Sequence, residues 1–158
     1  MYKYLYIFLL SMLPITELRA TIPYGILEYN IEWGLVFAIC VFGNFLVCIP
    51  LIYLLAYFDQ ISKKYRLVDK VLDKIYTRTR SRSNIVNQYN YLGIVMFVGI
   101  PLPLTGAWTG CLASHLLGLD KKKTLISILI GLTISATIVS LFSLIAVHLL
   151  PYIGVKIK

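Results

Sequence analysis

Two of this chain's four apolar blocks are interrupted by proline, and that restricts it to very few folds. The blocks span 2–27, 34–58, 91–119 and 124–151. The second and fourth are free of charge and reach about 36–40 Å, enough to cross a bilayer with some tilt. The first is interrupted by Pro14, Glu17, Arg19 and Pro23, and the third by Pro101 and Pro103. Residues 2–13 make a helix of only about 18 Å before Pro14 breaks it, and residues 91–100 make a shorter one. Two prolines two residues apart cannot continue a helix, and each pushes its predecessor toward extended geometry. Both blocks read as half-helix, break, half-helix. Each either crosses the membrane with a kink or turns back as a re-entrant hairpin.

Composition agrees with a membrane setting. Hydrophobic residues make up 59% of the 158, mean hydropathy is +0.81, and only 14% are charged, against roughly a quarter in a soluble domain. Twelve tyrosines suit a belt of amphipathic rings at the membrane–water interface. The net charge of +8 sits in short stretches between apolar blocks, so topology explains it and nucleic acid is excluded as a partner. Lys3 followed by an apolar run imitates a signal peptide, but Leu18-Arg19-Ala20 lacks the small residue a cleavage site needs. Cys40, Cys48 and Cys111 lie in apolar runs without metal-ligand spacing and read as small core residues. No metal or cofactor is expected.

The chain repeats itself. Leu13-Pro14-Ile15-Thr16 matches Leu102-Pro103-Leu104-Thr105 at an offset of 89 residues, and the same offset carries the second block onto the fourth. If the broken blocks are re-entrant, each half contains one odd crossing and the halves form an inverted repeat. Charge bias leaves the choice open: eleven basic residues lie inside whether the blocks turn back or cross. Both topologies place 59–90 in the cytoplasm, and they disagree on Lys121–Lys123 and both termini. Within that connection Ile61, Tyr65, Val68, Leu72 and Ile75 recur at helical spacing among Lys63, Lys64, Arg66, Lys70 and Lys74. This predicts an amphipathic basic helix on the inner leaflet, followed by a polar linker over 77–90.

No catalytic constellation is visible, so no enzyme is expected. His115 and His148 are isolated and read as structural. Glu17 and Arg19 are the only charges strictly inside an apolar block, and ionisable residues at membrane depth mark function by default. Glu17 could carry a proton, while Arg19 stays charged and needs a carboxylate, backbone carbonyls or an anion. Residues two apart do not face each other on a regular helix, but a chain broken by Pro14 and Pro23 can bring them together. The competing reading is a structural ion pair that closes the break. Thr16, Thr105 and Thr109 offer hydroxyls near the exposed backbone of the two breaks. Gly106 and Gly110, with Ala113, Ser114 and Gly118, permit close packing, as do Ser127, Gly131 and Ser135. Asn44 reads as an interhelical hydrogen bond before it reads as a ligand. Trp108 could line a cavity, and Trp33 could anchor at the interface. Asn30 and Asp120 are candidate helix caps.

The stretches Glu17-Leu18-Arg19-Ala20-Thr21-Ile22-Pro23-Tyr24-Gly25, Gly43-Asn44, and Pro101-Leu102-Pro103-Leu104-Thr105-Gly106-Ala107-Trp108-Thr109-Gly110 resemble the small multi-drug export protein family, itself similar to the DedA or VTT-domain membrane proteins. The resemblance runs through nearly the whole chain in order. It implies two re-entrant hairpins meeting within the membrane, each followed by a crossing helix. It also implies proton-coupled transport of lipid carriers or amphipathic compounds. Ala20 and Leu104 stand where glycine is expected, and the second break has no arginine, which argues against a phosphate-bearing lipid substrate.

The sequence therefore predicts an all-α integral membrane protein forming one membrane domain over 1–158. Its parts are a broken segment (2–30), a transmembrane helix (34–58), the basic connection (59–90), a second broken segment (91–119) and a second transmembrane helix (124–151). The expected function is a multi-pass cell-membrane transporter that moves an amphipathic or lipid-like substrate, with protons, through a midplane site. Glu17 and Arg19 would carry the coupling. Thr16, Pro23, Asn44, Pro101, Pro103, Thr105, Gly106, Trp108 and Thr109 would line the cavity. The alternative is a non-transporting scaffold or assembly factor. With two clean crossings to enclose a pathway, a homodimer is expected.

Overall fold

The computed structural model describes residues 2–62, 84–102 and 105–149, and their side chains except those of 56, 58–62 and 84–89. Most of the basic surface helix and linker, and Pro103, fall outside these residues. Six helices are described: α1 (Tyr2–Met12), α2 (Glu17–Leu27), α3 (Trp33–Ser62), α4 (Asn84–Gly99), α5 (Ala107–Leu116) and α6 (Lys121–Leu149). Two of them are long and apolar enough to cross a bilayer, α3 through Trp33–Leu55 and α6 along its whole length. The helices α1, α2 and α5 have 11, 11 and 10 residues, about 15–17 Å each, or half a bilayer core. Asn90, with φ +49° and ψ −116°, kinks α4 and sets off its apolar part, Asn90–Gly99.

Each short pair folds back on itself. Tyr6 of α1 packs against Tyr24 of α2 and against Tyr29, with ring centroids 6.4 and 6.2 Å apart, and Lys3 lies 5.5 Å from the Tyr29 ring centroid. The start of α1 thus lies beside the end of α2. In the second half the Asp120 backbone N–H donates to the Tyr91 hydroxyl at 3.0 Å, which places the start of the apolar part of α4 beside the chain leaving α5. Both hairpins exit through a left-handed residue, Asn30 at φ +48° and Gly118 at φ +63°. The second exit forms a Schellman turn, with Gly118 N–H to His115 O and Leu119 N–H to Ser114 O.

The helix pairings are matched between the halves. α1 packs on α2 and α3, as α4 packs on α5 and α6. α2 packs on both α3 and α6, and so does α5. The two long helices pack on each other. Small side chains make these contacts close: Cys40, Cys48, Cys111, Ala107, Ala113 and Ala136 are buried, and the three cysteines are free thiols. Large apolar side chains face outward instead, with Phe42 60% and Phe142 68% exposed, a pattern that lipid tolerates and water does not.

One expectation needs correction. Pro23 does not break the first segment, since α2 runs through it. A proline removes one N–H, and membrane helices accommodate that loss locally. α3 begins at Trp33, with Glu32 O accepting the Leu35 and Val36 amides. Asp120 does cap α6, its Oδ1 accepting the Lys123 amide at 3.0 Å.

Gly131 sits where α6 meets α4, and a Cβ there would lie 2.8 Å from Val98 Cβ and 3.0 Å from Val95 O. Gly131→Ala should destabilise the protein by about 1–3 kcal/mol through overpacking. Gly34→Ala, where nothing lies within 4 Å, should be neutral or stabilising. Unfolding of the two variants in detergent compares them directly.

Candidate functional site

The two breaks meet. A cleft of about 530 Å³ is lined from the first by Pro14, Ile15, Thr16, Glu17, Arg19 and Ala20. Pro101, Leu102, Gly106, Trp108 and Thr109 line it from the second. Its walls are mainly apolar, and Ile15 at the tip of the first break is 94% exposed.

The first break starts where Pro14 cannot extend α1. Thr16 Oγ1 donates back to Leu10 O at 2.6 Å, and the Glu17 amide donates to Leu13 O at 3.0 Å. Glu17 then adopts φ +43°, a left-handed conformation uncommon for a residue with a side chain. Observed strain of this kind is held in place by surrounding contacts. Here the contact is with the other half of the chain. The Glu17 carboxylate, 8% exposed, faces the backbone N–H groups of Ala107 and Trp108, the first residues of α5. It lies against Gly106, where any Cβ would collide with it. A carboxylate at a helix N-terminus satisfies orphan N–H groups and matches the helix dipole.

Arg19 serves the opposite pole. Its guanidinium donates to Val98 O at 3.1 Å, Ile100 O at 3.2 Å, Thr105 O at 3.0 Å, Thr105 Oγ1 at 3.1 Å, and also to Leu102 O. These oxygens lie at the C-terminal end of α4 and in the unwound chain beyond it. The planar fork of arginine can address several carbonyls at once, and a cation suits the negative end of a helix. The two charges are therefore separate clamps on the second break. Glu17 and Arg19 remain close enough to attract each other, and Arg19 meets backbone carbonyls, one of the partners its charge called for.

The repeat offset places Arg19 on Trp108, Thr16 on Thr105 and Glu17 on Gly106. Trp108 Nε1 donates to Met12 O, the end of α1, at 3.2 Å. Trp108 thus does for the first break what Arg19 does for the second. Thr105 Oγ1 donates to Ile100 O and Leu102 O at 3.1 and 2.9 Å, as Thr16 does to Leu10 O. Thr109 Oγ1 donates to Gly106 O at 3.0 Å.

Of the residues named from sequence, Thr16, Glu17, Arg19, Pro101, Gly106, Trp108 and Thr109 line the cleft. Thr105 joins through its bonds to Arg19. Two do not. Pro23 lies within α2, away from the cleft lining, and Asn44 is fully buried in α3. Asn44 also makes no interhelical hydrogen bond: both side-chain polar atoms lack a partner among the described residues. Pro14, Ile15, Ala20 and Leu102 line the cleft without having been named as site residues. The two matching Leu-Pro-x-Thr stretches could have pointed to three of them.

Two apolar crossing helices, outward-facing apolar side chains and a pair of clamped half-helix breaks define a helical membrane protein. Over residues 17–138 the sequence matches the family described as "Putative small multi-drug export protein", and the chain belongs to that family. The matched region contains both charged clamps and the whole second break. The family is named for export, which is not a class of enzyme. No curated protein and no solved structure matches the chain.

Arg19→Lys should cost about 2 kcal/mol, because an ammonium cannot span carbonyls spread over Val98–Thr105. Trp108→Phe, which gives up one neutral hydrogen bond, should cost about 1 kcal/mol. Unfolding of the purified variants in detergent should rank them in that order.

Proposed function

We propose that the chain is a small membrane transporter in the cell membrane. It moves an amphipathic or lipid-like substrate through the cleft between the breaks, with a proton carried by Glu17. The cleft itself carries this reading, because both breaks contribute to it and the charge that clamps them together lies in its wall. Mainly apolar walls and the Trp108 ring suit an apolar body. Arg19 spends its donors on backbone oxygens, so a phosphate group finds no free guanidinium there. Protonating Glu17 would replace charge-assisted hydrogen bonds with weaker neutral ones. The N-terminus of α5 would then be released from α2, and the junction between the halves would loosen. A proton would in this way bias a two-state element next to the substrate.

The same reading treats each short pair as a re-entrant hairpin, and the two halves as an inverted repeat. Three contacts support it. Lys3 is beside Tyr29, Tyr91 is beside Asp120, and Lys121 Nζ lies 4.7 Å from the ring centroid of Tyr53 near the far end of α3. The last contact supports a start of α6 near the far end of α3, a side we assign to the cytoplasm by the basic charge of 59–90. Cysteine introduced at Lys122 should resist membrane-impermeant reagents applied outside intact cells. Efficient labelling there would favour four full crossings.

The competing reading is a scaffold, in which the clamps only hold the fold. It draws support from the structural work both charges perform. Glu17→Gln separates the two, since glutamine retains an acceptor oxygen. The variant should stay folded, and its transport of a fluorescent amphipath or lipid analogue in proteoliposomes under a pH gradient should fall to the liposome background. Transport equal to the wild type would remove Glu17 from the mechanism.

A further inference from the structure

We infer that a second cavity, beside the first turn of α6, binds a phosphate-bearing anion: the head of an anionic phospholipid, or the free ion. The cavity is about 210 Å³, bounded by Ile52 of α3, by Ser114 and Gly118 at the end of α5, and by Lys121 and Thr124 of α6. It does not share lining residues with the cleft between the breaks.

The first observation is Thr124. It is 1% exposed and lines the cavity, yet its hydroxyl has no hydrogen-bond partner among the described residues. Thr133, Thr137, Ser127 and Ser143, on the same helix, each donate to the carbonyl four residues back; Ser135 and Ser140 also lack a partner among the described residues, but Thr124 alone of the three lines this cavity. For Thr124 that carbonyl belongs to Asp120 and takes the Thr124 amide alone. A buried hydroxyl left this way is costly, and it has a donor to offer a ligand.

The second observation is charge. Lys121, Lys122 and Lys123 fill the first turn of α6, the positive end of its dipole, where cations are unfavourable. The local carboxylate, Asp120, has one oxygen on the Lys123 amide. An anion at this helix start would offset both the lysines and the dipole. A third feature fits a lipid as its source. Lys121 lies over the ring of Tyr53, and Tyr53 and Leu54 are 53% and 48% exposed. They offer apolar surface for an acyl chain next to the charged head.

The test uses the full chain purified in a non-ionic detergent. It is titrated with short-chain phosphatidylglycerol, with the diacylglycerol of the same chains, and with inorganic phosphate, while the unfolding midpoint is followed. Phosphatidylglycerol should raise the midpoint and diacylglycerol should not. Thr124→Val, which keeps the side-chain shape, and Lys121→Gln should each weaken phosphatidylglycerol binding by roughly tenfold. Inorganic phosphate matching phosphatidylglycerol would support the site with the free ion as its occupant. Diacylglycerol acting as well as phosphatidylglycerol would overturn the inference, as would unchanged affinity in both variants. Should either variant fail to fold, native mass spectrometry of the wild type decides: retained phospholipid or phosphate supports the site, and neither overturns it.

Discussion

A helix broken inside a bilayer leaves N–H and C=O groups that lipid cannot satisfy. In this chain the second break, between Gly99 and Ala107, is satisfied largely from outside. Glu17 faces the N–H groups that begin α5, and Arg19 takes the carbonyls at and beyond the end of α4. Each charge meets the helix pole of opposite sign, so the dipoles that would otherwise oppose burial hold the charges in place. Other features depend on this arrangement. A side chain at Gly106 would push the carboxylate out of its place. Glu17 tolerates a left-handed backbone because both its neighbours and its partners fix it. The cleft exists because the clamps bring two unwound stretches together without filling the space between them.

The halves solve the same problem with different chemistry. At equivalent repeat positions Arg19 and Trp108 both donate across to the end of the other half's leading half-helix. One uses a delocalised cation with several donors, and the other uses a single neutral indole N–H. The second break presents several described carbonyls to its partner, those of Val98, Ile100, Leu102 and Thr105, and it receives the arginine. This asymmetry places all the charge on one side of the cleft and leaves the other side apolar and aromatic. A binding site for an amphipathic molecule needs such a division.

Much of the fold was legible in the sequence. Apolar run length gave the two crossing helices, and Pro14 and Pro101 marked the breaks. Pro23 misled because proline stops a helix only where no neighbour compensates for the lost N–H, and α2 is packed against α3 and α6. The candidate site was half legible. Intramembrane charge singled out Glu17 and Arg19, and backbone carbonyls were among the partners left open for Arg19. Which carbonyls was not legible: Arg19's partners lie 79–86 residues away, and local pattern does not encode such pairings. Asn44 shows the same limit: an amide in an apolar run implies a partner across the helix interface, and the packing supplies none among the described residues.

The central claim is that Glu17 holds the start of α5. Amide resonances of Ala107 and Trp108, recorded on nitrogen-15-labelled protein in micelles, report on it directly. Hydrogen bonds to a carboxylate should shift both amides downfield. Both should move upfield together in Glu17→Ala, while the amides of Thr133 and Thr137 on α6 stay in place. Unchanged Ala107 and Trp108 resonances in that variant would contradict the clamp.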